Sequence, residues 1–406
     1  MHVVFVEPSF PANQREFVRA LVQVGARVTA IGERSVESLG DELRSWLAGY
    51  ERIGSVVDRG ELWAAVRRIQ EREWVDRLEA TVEAHVLPAA EVREACTIPG
   101  TSVRTAHLCR DKPAMKDALR AAGVRCARST GASSAEDVRA FVDEVGFPVI
   151  LKPRDSAGAA GTYRADDAAS LEQALRASGV ERGVSTAVEE FVEGHEAFYD
   201  TLCIGGRVVQ EFISHYYPGV LHAMRTRWIS PYLVCTNRVD APAYEEVRDL
   251  AQRVVEVLGI GTSATHMEWF IGPKGLVFSE IACRPPGVRV WDLYNVGNDM
   301  DLYAEWARAI VLGRTECRPS RRFATGMIAL RPDCDGTIVG YDGLKEAQRA
   351  LGHWVIDAHF PEPGTATQPP GAGYMANAWV RMRHPDYDEL CRMFESLGES
   401  VQVRAR

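Results

Sequence analysis

Two glutamates on one β-hairpin open the chemical reading. The segment THMEWFIGPKGLVFSEIA (265–282) reads as two short strands around a glycine-bearing turn. A three-residue loop, Pro273 to Gly275, would put a glycine at the third loop position, where such hairpins need a left-handed residue. Leu276 then pairs with Gly272, and Glu268 falls opposite Glu280. Opposed side chains lie about 5 Å apart. Two carboxylates at that distance repel by roughly 3 kcal/mol at an effective dielectric of about 20. An oxygen-preferring cation such as Mg²⁺ removes the repulsion. A four-residue loop would shift the register by one and send the two side chains to opposite faces.

The basic residues carry the next signal. Of 47 lysines and arginines only five are lysine, and Lys112, Lys116 and Lys152 fall close together. Lys152 sits inside the apolar run PVILKP, where a buried ammonium is costly unless it meets an anion. The loop DSAGAAG (155–161) follows, and Gly158 and Gly161 let backbone N–H groups approach a phosphate closely. An edge-strand lysine reaching to solvent is the other reading. Lys112 stands at a helix N-terminus, where the dipole favours anions, so a polyanion nearby would account for it better than solvent. The stretch VEEFVEGHE (188–196) carries Glu189, Glu190, Glu193 and Glu196. Acids repel phosphate, but they accept hydrogen bonds from an adenine amino group or ribose hydroxyls. An acidic surface loop is the plain alternative.

These residues need elements to hold them. The strand His2–Glu7, the helix Asn13–Val24 and the strand Val28–Ile31 open a parallel α/β unit, with a further strand expected near Ser55–Val57. No G-x-G-x-x-G follows the first strand, which argues against a dinucleotide dehydrogenase. Helices are expected over Asp111–Ala122, Ser134–Val145, Ala168–Ala177, Tyr244–Val257 and Asp301–Leu312. Residues 197–240 read as antiparallel sheet, and the last 80 or so as a separate small α/β domain.

Composition narrows the class. The 406 residues suggest two to four domains, with 46% hydrophobic and 25% charged residues typical of a soluble globular chain. The net charge of −9 makes it a poor nucleic-acid binder. No apolar run is long enough to cross a membrane. MHVVFVEPSF lacks a basic leader region, so the expected setting is cytoplasmic. Nine scattered cysteines without C-x-x-C form neither a disulfide framework nor a zinc site.

The ordered set Lys112, Lys152, glycine loop, Glu189–Glu196, Glu268 and Glu280 resembles the ATP-grasp superfamily over about residues 105–315. EIACRPPG (280–287), with THME (265–268) before it, is similar to the L-amino-acid (dipeptide) ligase branch. The resemblance implies an α/β chain with an ATP-grasp fold, two α+β subdomains clamping ATP. It implies a pre-ATP-grasp domain over 1–105 and an ATP-grasp domain over 106–315, divided into 106–187 and 188–315. A small closing domain covers 316–406. It implies that Lys112 and Lys152 hold the α- and β-phosphates and that the 155–161 loop closes over the triphosphate. Glu189, Glu190 and the backbone at Val192 would meet adenine, and Glu196 ribose. Arg225 or Arg227 would reach the γ-phosphate. Glu268 and Glu280 would hold Mg²⁺, with Mn²⁺ as an alternative, and Arg284 would face the reacting group, so that Arg284, Lys152 and Glu280 are the catalytic set. Asn two residues after the second metal carboxylate is replaced here by Ala282.

The implied activity is amide-bond formation between a small carboxylate and an amine, amino acids or their derivatives, through an acyl phosphate. A homodimer is the usual form of such enzymes. A carboxylase of the biotin-carboxylase kind and an ATP-binding protein without catalysis stay open. His266 is a candidate general base or a packed histidine. Trp228, Trp269, Trp291 and Tyr294 are candidates for the substrate pocket or the core.

Overall fold

The computed structural model describes residues 1–154 and 161–406. The glycine loop, including Gly158, lies outside the described residues apart from Gly161.

The N-terminal unit is a four-stranded parallel sheet in the order Gly49–Arg52, Arg27–Gly32, His2–Val6, Arg77–Glu79. HVVFV is buried on both faces, which is what a continuous apolar run requires at the centre of a parallel sheet. Phe17 and Leu21 of the helix Gln14–Gln23 cover one face, and Leu62, Val66 and Val92 of the helices Arg59–Gln70 and Glu83–Ala95 cover the other. No strand forms at Ser55–Val57, contrary to expectation. Val56 packs into the core from a loop, and Asp58 caps the next helix by accepting from the Glu61 N–H.

Two sheets build the centre. The smaller is antiparallel, in the order Ser129–Ala132, Thr186–Glu190, Val149–Pro153, Tyr163–Ala165. The helices Ala135–Val145 and Ala168–Ser178 back it, each started by a reciprocal capping box, Ser134 with Asp137 and Asp167 with Ser170. The larger sheet has eight strands, running Gly275–Ala282, Ser263–Gly272, His195–Ile204, Arg207–Tyr217, Tyr232–Cys235, Ala324–Leu330, Ala378–His384, Val355–His359.

That order corrects the expected separate C-terminal domain. Three strands from residues beyond 315 continue the large sheet, and Val380, Met382 and Phe394 share a core with Val234. A lone sheet of this segment would expose the edge of Ala324–Leu330, whose seven residues are all buried. Only Ile338–Asp342 and Gln402–Ala405 pair outside it, as a two-stranded ribbon. Among the described residues no helix is long and apolar enough to cross a membrane.

Candidate active site

The glutamate hairpin reaches the expected pairing by an unexpected route. Its turn has two residues, Pro273 and Lys274, closed by Gly272 opposite Gly275, which adopts φ +75°. The three-residue loop is therefore corrected, and Leu276 pairs with Ile271. Continued unchanged, that register would set Glu268 opposite Ser279. Ser279 instead bulges out unpaired, and beyond it Glu268 stands opposite Glu280.

The small sheet supplies Lys152, and the helix Lys112–Ala121 the other two lysines. In its register Lys152 lies opposite Ala187 and Ile150 opposite Glu189, so Lys152 and Glu189 share a face on neighbouring strands. Asp111 caps the helix Lys112–Ala121 by accepting from the Ala114 N–H, and its carboxylate also accepts two bonds of 2.9 Å from Arg154. That clasp brings the helix start beside the end of Val149–Pro153.

The outcome is a buried charge network. Glu189 Oε2 lies 2.7 Å from Lys116 Nζ and 3.0 Å from Lys152 Nζ. Glu280 Oε2 lies 3.5 Å from Lys152 Nζ and 3.8 Å from Lys112 Nζ. Burial disfavours the Glu189 carboxylate, but Lys116 and Lys152 outweigh it and hold its pKa at about 2. Glu280 is held low in the same way, by Lys112 and then Lys152 against burial. Glu189 is thus first a bridge between two ammonium groups. Its Oε1 is buried with no hydrogen-bond partner among the described residues.

These residues line a cavity of about 420 Å³ between the two sheets. Lys112, Lys116, Lys152, Glu189, Glu190, Val192, Glu196, Arg225, Glu268 and Glu280 all border it. Glu190 pairs with Arg128 at 3.2 Å. Arg225 donates to the Thr162 carbonyl, at the end of the glycine loop. Arg227 does not border the cavity; its guanidinium donates to Asp335 and the Pro332 carbonyl. Gly161 has φ +67°.

Glu196 accepts from the Val220 N–H at 2.6 Å, where the short helix Val220–Ala223 begins. Burial, then repulsion from Glu268, pushes its pKa up to about 8. A carboxyl that stays protonated in the fold and ionises when unfolded stabilises the protein below about pH 4.5. That contribution is lost as pH rises toward 8. Glu196→Gln should flatten this decline, raising the melting temperature at pH 8.5 but not at pH 4. Parallel melting curves for the two proteins across that range would contradict the assignment.

A second, smaller cavity of about 20 Å³ adjoins the glutamates, bordered by Glu83, Arg110, Lys112, His266, Glu280 and Arg284. Glu83, from the N-terminal unit, accepts from Arg284 Nε at 2.7 Å, and its main-chain carbonyl accepts from Arg110 at 2.9 Å. His266 Nδ1 lies 2.7 Å from Asp200 Oδ1, and Nε2 3.6 Å from Glu268 Oε1. Tyr294 donates to the other Asp200 oxygen at 2.6 Å. Burial disfavours the imidazolium, but Asp200 and Glu268 raise its pKa to about 9. His266 thus stands between Asp200 and Glu268 and bonds to the first. Trp269, Trp291 and Tyr294 belong to the core, and Trp228 is on the surface.

Lys116, Glu83 and Asp200 escape the sequence reading as site residues. The rarity of lysine singled out Lys116, but only the helix turn from Lys112 aims it at Glu189. Nothing local marks Glu83 or Asp200. Two opposed carboxylates are a donor set that suits Mg²⁺ when phosphate oxygens and water complete its octahedron. Among the described residues no group of three or more His, Cys, Asp or Glu side chains is gathered for a metal.

Comparisons with known proteins agree with this architecture. Residues 117–293 match the ATP-grasp domain family. Alanine–anticapsin ligase of Bacillus subtilis strain 168 is 26% identical over 233 residues, 51% of this chain and 48% of that protein. Formate-dependent phosphoribosylglycinamide formyltransferase of Chlorobaculum tepidum is 26% identical over 400 residues, 96% of this chain and 95% of that one. The chain spans about half the length of the first curated relatives it matches. An L-amino acid ligase structure from Bacillus licheniformis superposes with a TM-score of 0.75 at 18% identity, covering 100% of this chain and 98% of that one. The chain thus carries an ATP-grasp domain, set within the fold that ATP-grasp enzymes share.

Proposed function

We propose that the protein is an ATP-dependent carboxylate–amine ligase that joins amino acids or their derivatives. One observation carries the reading. Two buried lysines, the half-buried Lys152 and two opposed glutamates surround a cleft between two sheets, and Arg284 borders the small cavity beside it. The similarity to alanine–anticapsin ligase supports it.

The γ-phosphoryl group of ATP passes to a substrate carboxylate oxygen, giving an acyl phosphate and ADP. The amine attacks the carbonyl carbon, the C–O bond to phosphate breaks, and the amine proton is lost to solvent. Such a transfer depends on positioning and charge neutralisation more than on covalent help. Lys112 and Lys152 serve the α- and β-phosphates, Arg225 the γ-phosphate, and Arg284 the reacting carboxylate. Glu189, Glu190 and the Val192 backbone serve the adenine end, and Glu196 the ribose. Glu268 and Glu280 would hold Mg²⁺, which neutralises phosphate charge when bound. Lys116 keeps Glu189, and through it Lys152, in place.

A carboxylase reading also has ATP-grasp relatives, since a biotin carboxylase domain from Hydrogenobacter thermophilus shares the fold. ADP release decides between them. Release on adding pooled amino acids in bicarbonate-free buffer supports the ligase; release that needs bicarbonate overturns it.

The Glu83–Arg284 contact adds a prediction. Loss of a charge-assisted hydrogen bond costs about 1.5–3 kcal/mol, so Glu83→Ala should slow turnover by about 10- to 100-fold. ATP affinity measured by calorimetry should stay unchanged. An equal loss in both would mean that Glu83 only supports the fold.

A further inference from the structure

The small cavity beside the cleft bounds the size of the acid. Lys112 and Glu280 border both cavities, so the two meet at the pair of opposed glutamates. The larger, about 420 Å³, is needed for the nucleotide. A carboxylate that reaches from Arg284 to the γ-phosphate therefore keeps the rest of its molecule in the smaller, which measures about 20 Å³. One water-sized group takes about 10–15 Å³ of such space. There is room for one such group, two at most.

The walls are held in place. Met115, on the helix Lys112–Ala121, packs in one core with Cys109, Phe278 and Ile281, and all four are buried. The polar wall is bonded between domains. Glu83 accepts from Arg284 Nε at 2.7 Å, lies 3.6 Å from Arg110 Nη1, and offers that arginine its main-chain carbonyl at 2.9 Å. His266 is tied to Asp200 at 2.7 Å, and Asp200 to Tyr294 at 2.6 Å. Widening the cavity breaks these bonds or disrupts a close-packed core. Three cationic side chains, Arg110, Lys112 and Arg284, border it against two acids, Glu83 and Glu280. That excess suits a single carboxylate.

We propose that the acid activated by this protein carries at most two heavy atoms besides its carboxylate, as formate, acetate and glycine do, and that Met115 is the wall that excludes larger ones. The proposal rests on the ligase reading and names the class of acid. A longer side chain overlaps packed atoms, and an interior of this density accepts little added volume.

Hydroxylamine in place of the amine makes the test independent of the second substrate. Its nitrogen attacks the carbonyl carbon of the acyl phosphate, the C–O bond to phosphate breaks, and a proton passes from nitrogen to solvent, leaving a hydroxamate and phosphate. The full chain with Mg-ATP and hydroxylamine should form hydroxamate from at least one of formate, acetate and glycine. With L-leucine and L-phenylalanine kcat/KM should be lower by about 100-fold or more. Met115→Ala should raise kcat/KM for L-leucine by about tenfold or more, with ATP affinity unchanged. Equal or higher kcat/KM for the two large acids in wild type overturns the proposal, whether or not Met115→Ala folds. A folded Met115→Ala that keeps the wild-type preference overturns the assignment of the wall. Failure of the ligase reading shows separately, as ADP release that requires bicarbonate with no hydroxamate from any acid.

Discussion

Glu280→Ala should abolish Mg-ATP turnover while leaving the fold intact. Glu280 faces Glu268 across the hairpin and two lysines across the cleft. A metal clamp on transferring phosphoryl groups contributes several kcal/mol to the transition state, so the expected loss is about 1000-fold or more. The fold should survive because the carboxylate is only partly buried and Lys152 keeps Glu189 as a partner. Circular dichroism and thermal melting check the second half of this expectation, and ADP release the first. Retained turnover in a folded variant would remove Glu280 from the metal site. Glu280→Gln separates charge from shape, since it keeps the size and loses the anion.

Lys152→Ala should weaken ATP binding and destabilise the protein together. Its ammonium lies between two carboxylates, 3.0 Å from Glu189 and 3.5 Å from Glu280. Breaking a buried pair by removing one partner costs about 3–5 kcal/mol of stability. Lys116 still holds Glu189, so the lower end of that range is expected. Loss of a charge-assisted contact to phosphate should raise the ATP dissociation constant by about 10- to 100-fold. Calorimetry measures the affinity and urea unfolding the stability. Unchanged affinity would assign Lys152 to the fold alone.

The residues of the cleft were legible because burial makes them conspicuous. A lysine inside PVILKP and paired acids on a hairpin both demand compensation, and each lines the cavity. Residues whose role depends on a distant partner were not legible. Glu83 looks like an ordinary first-turn acid on its helix, and only the packing of the N-terminal unit sets it 2.7 Å from Arg284. Arg225 and Arg227 look alike in sequence, yet Asp335, 108 positions further on, takes one of them out of the site. His266 invited a role as base, and only the fold showed that its Nδ1 is taken by Asp200 on the neighbouring strand.

The hairpin shows the division most clearly. Strand alternation, the breaking glycines and the acidic positions follow from local chemistry, since period and turn preference are properties of a few consecutive residues. Which faces the two glutamates share does not. The turn is one residue shorter than expected, and the bulge at Ser279 restores the pairing. There the strand runs beside a segment 153 residues earlier, where the Phe278 N–H donates to the Arg125 carbonyl. Sequence alone determined the local elements, the charged groups that need partners and their order along the chain. Tertiary structure decided the partners and the joining of the C-terminal strands to the large sheet. Those choices depend on contacts between residues far apart in the chain, whose energies no local pattern records.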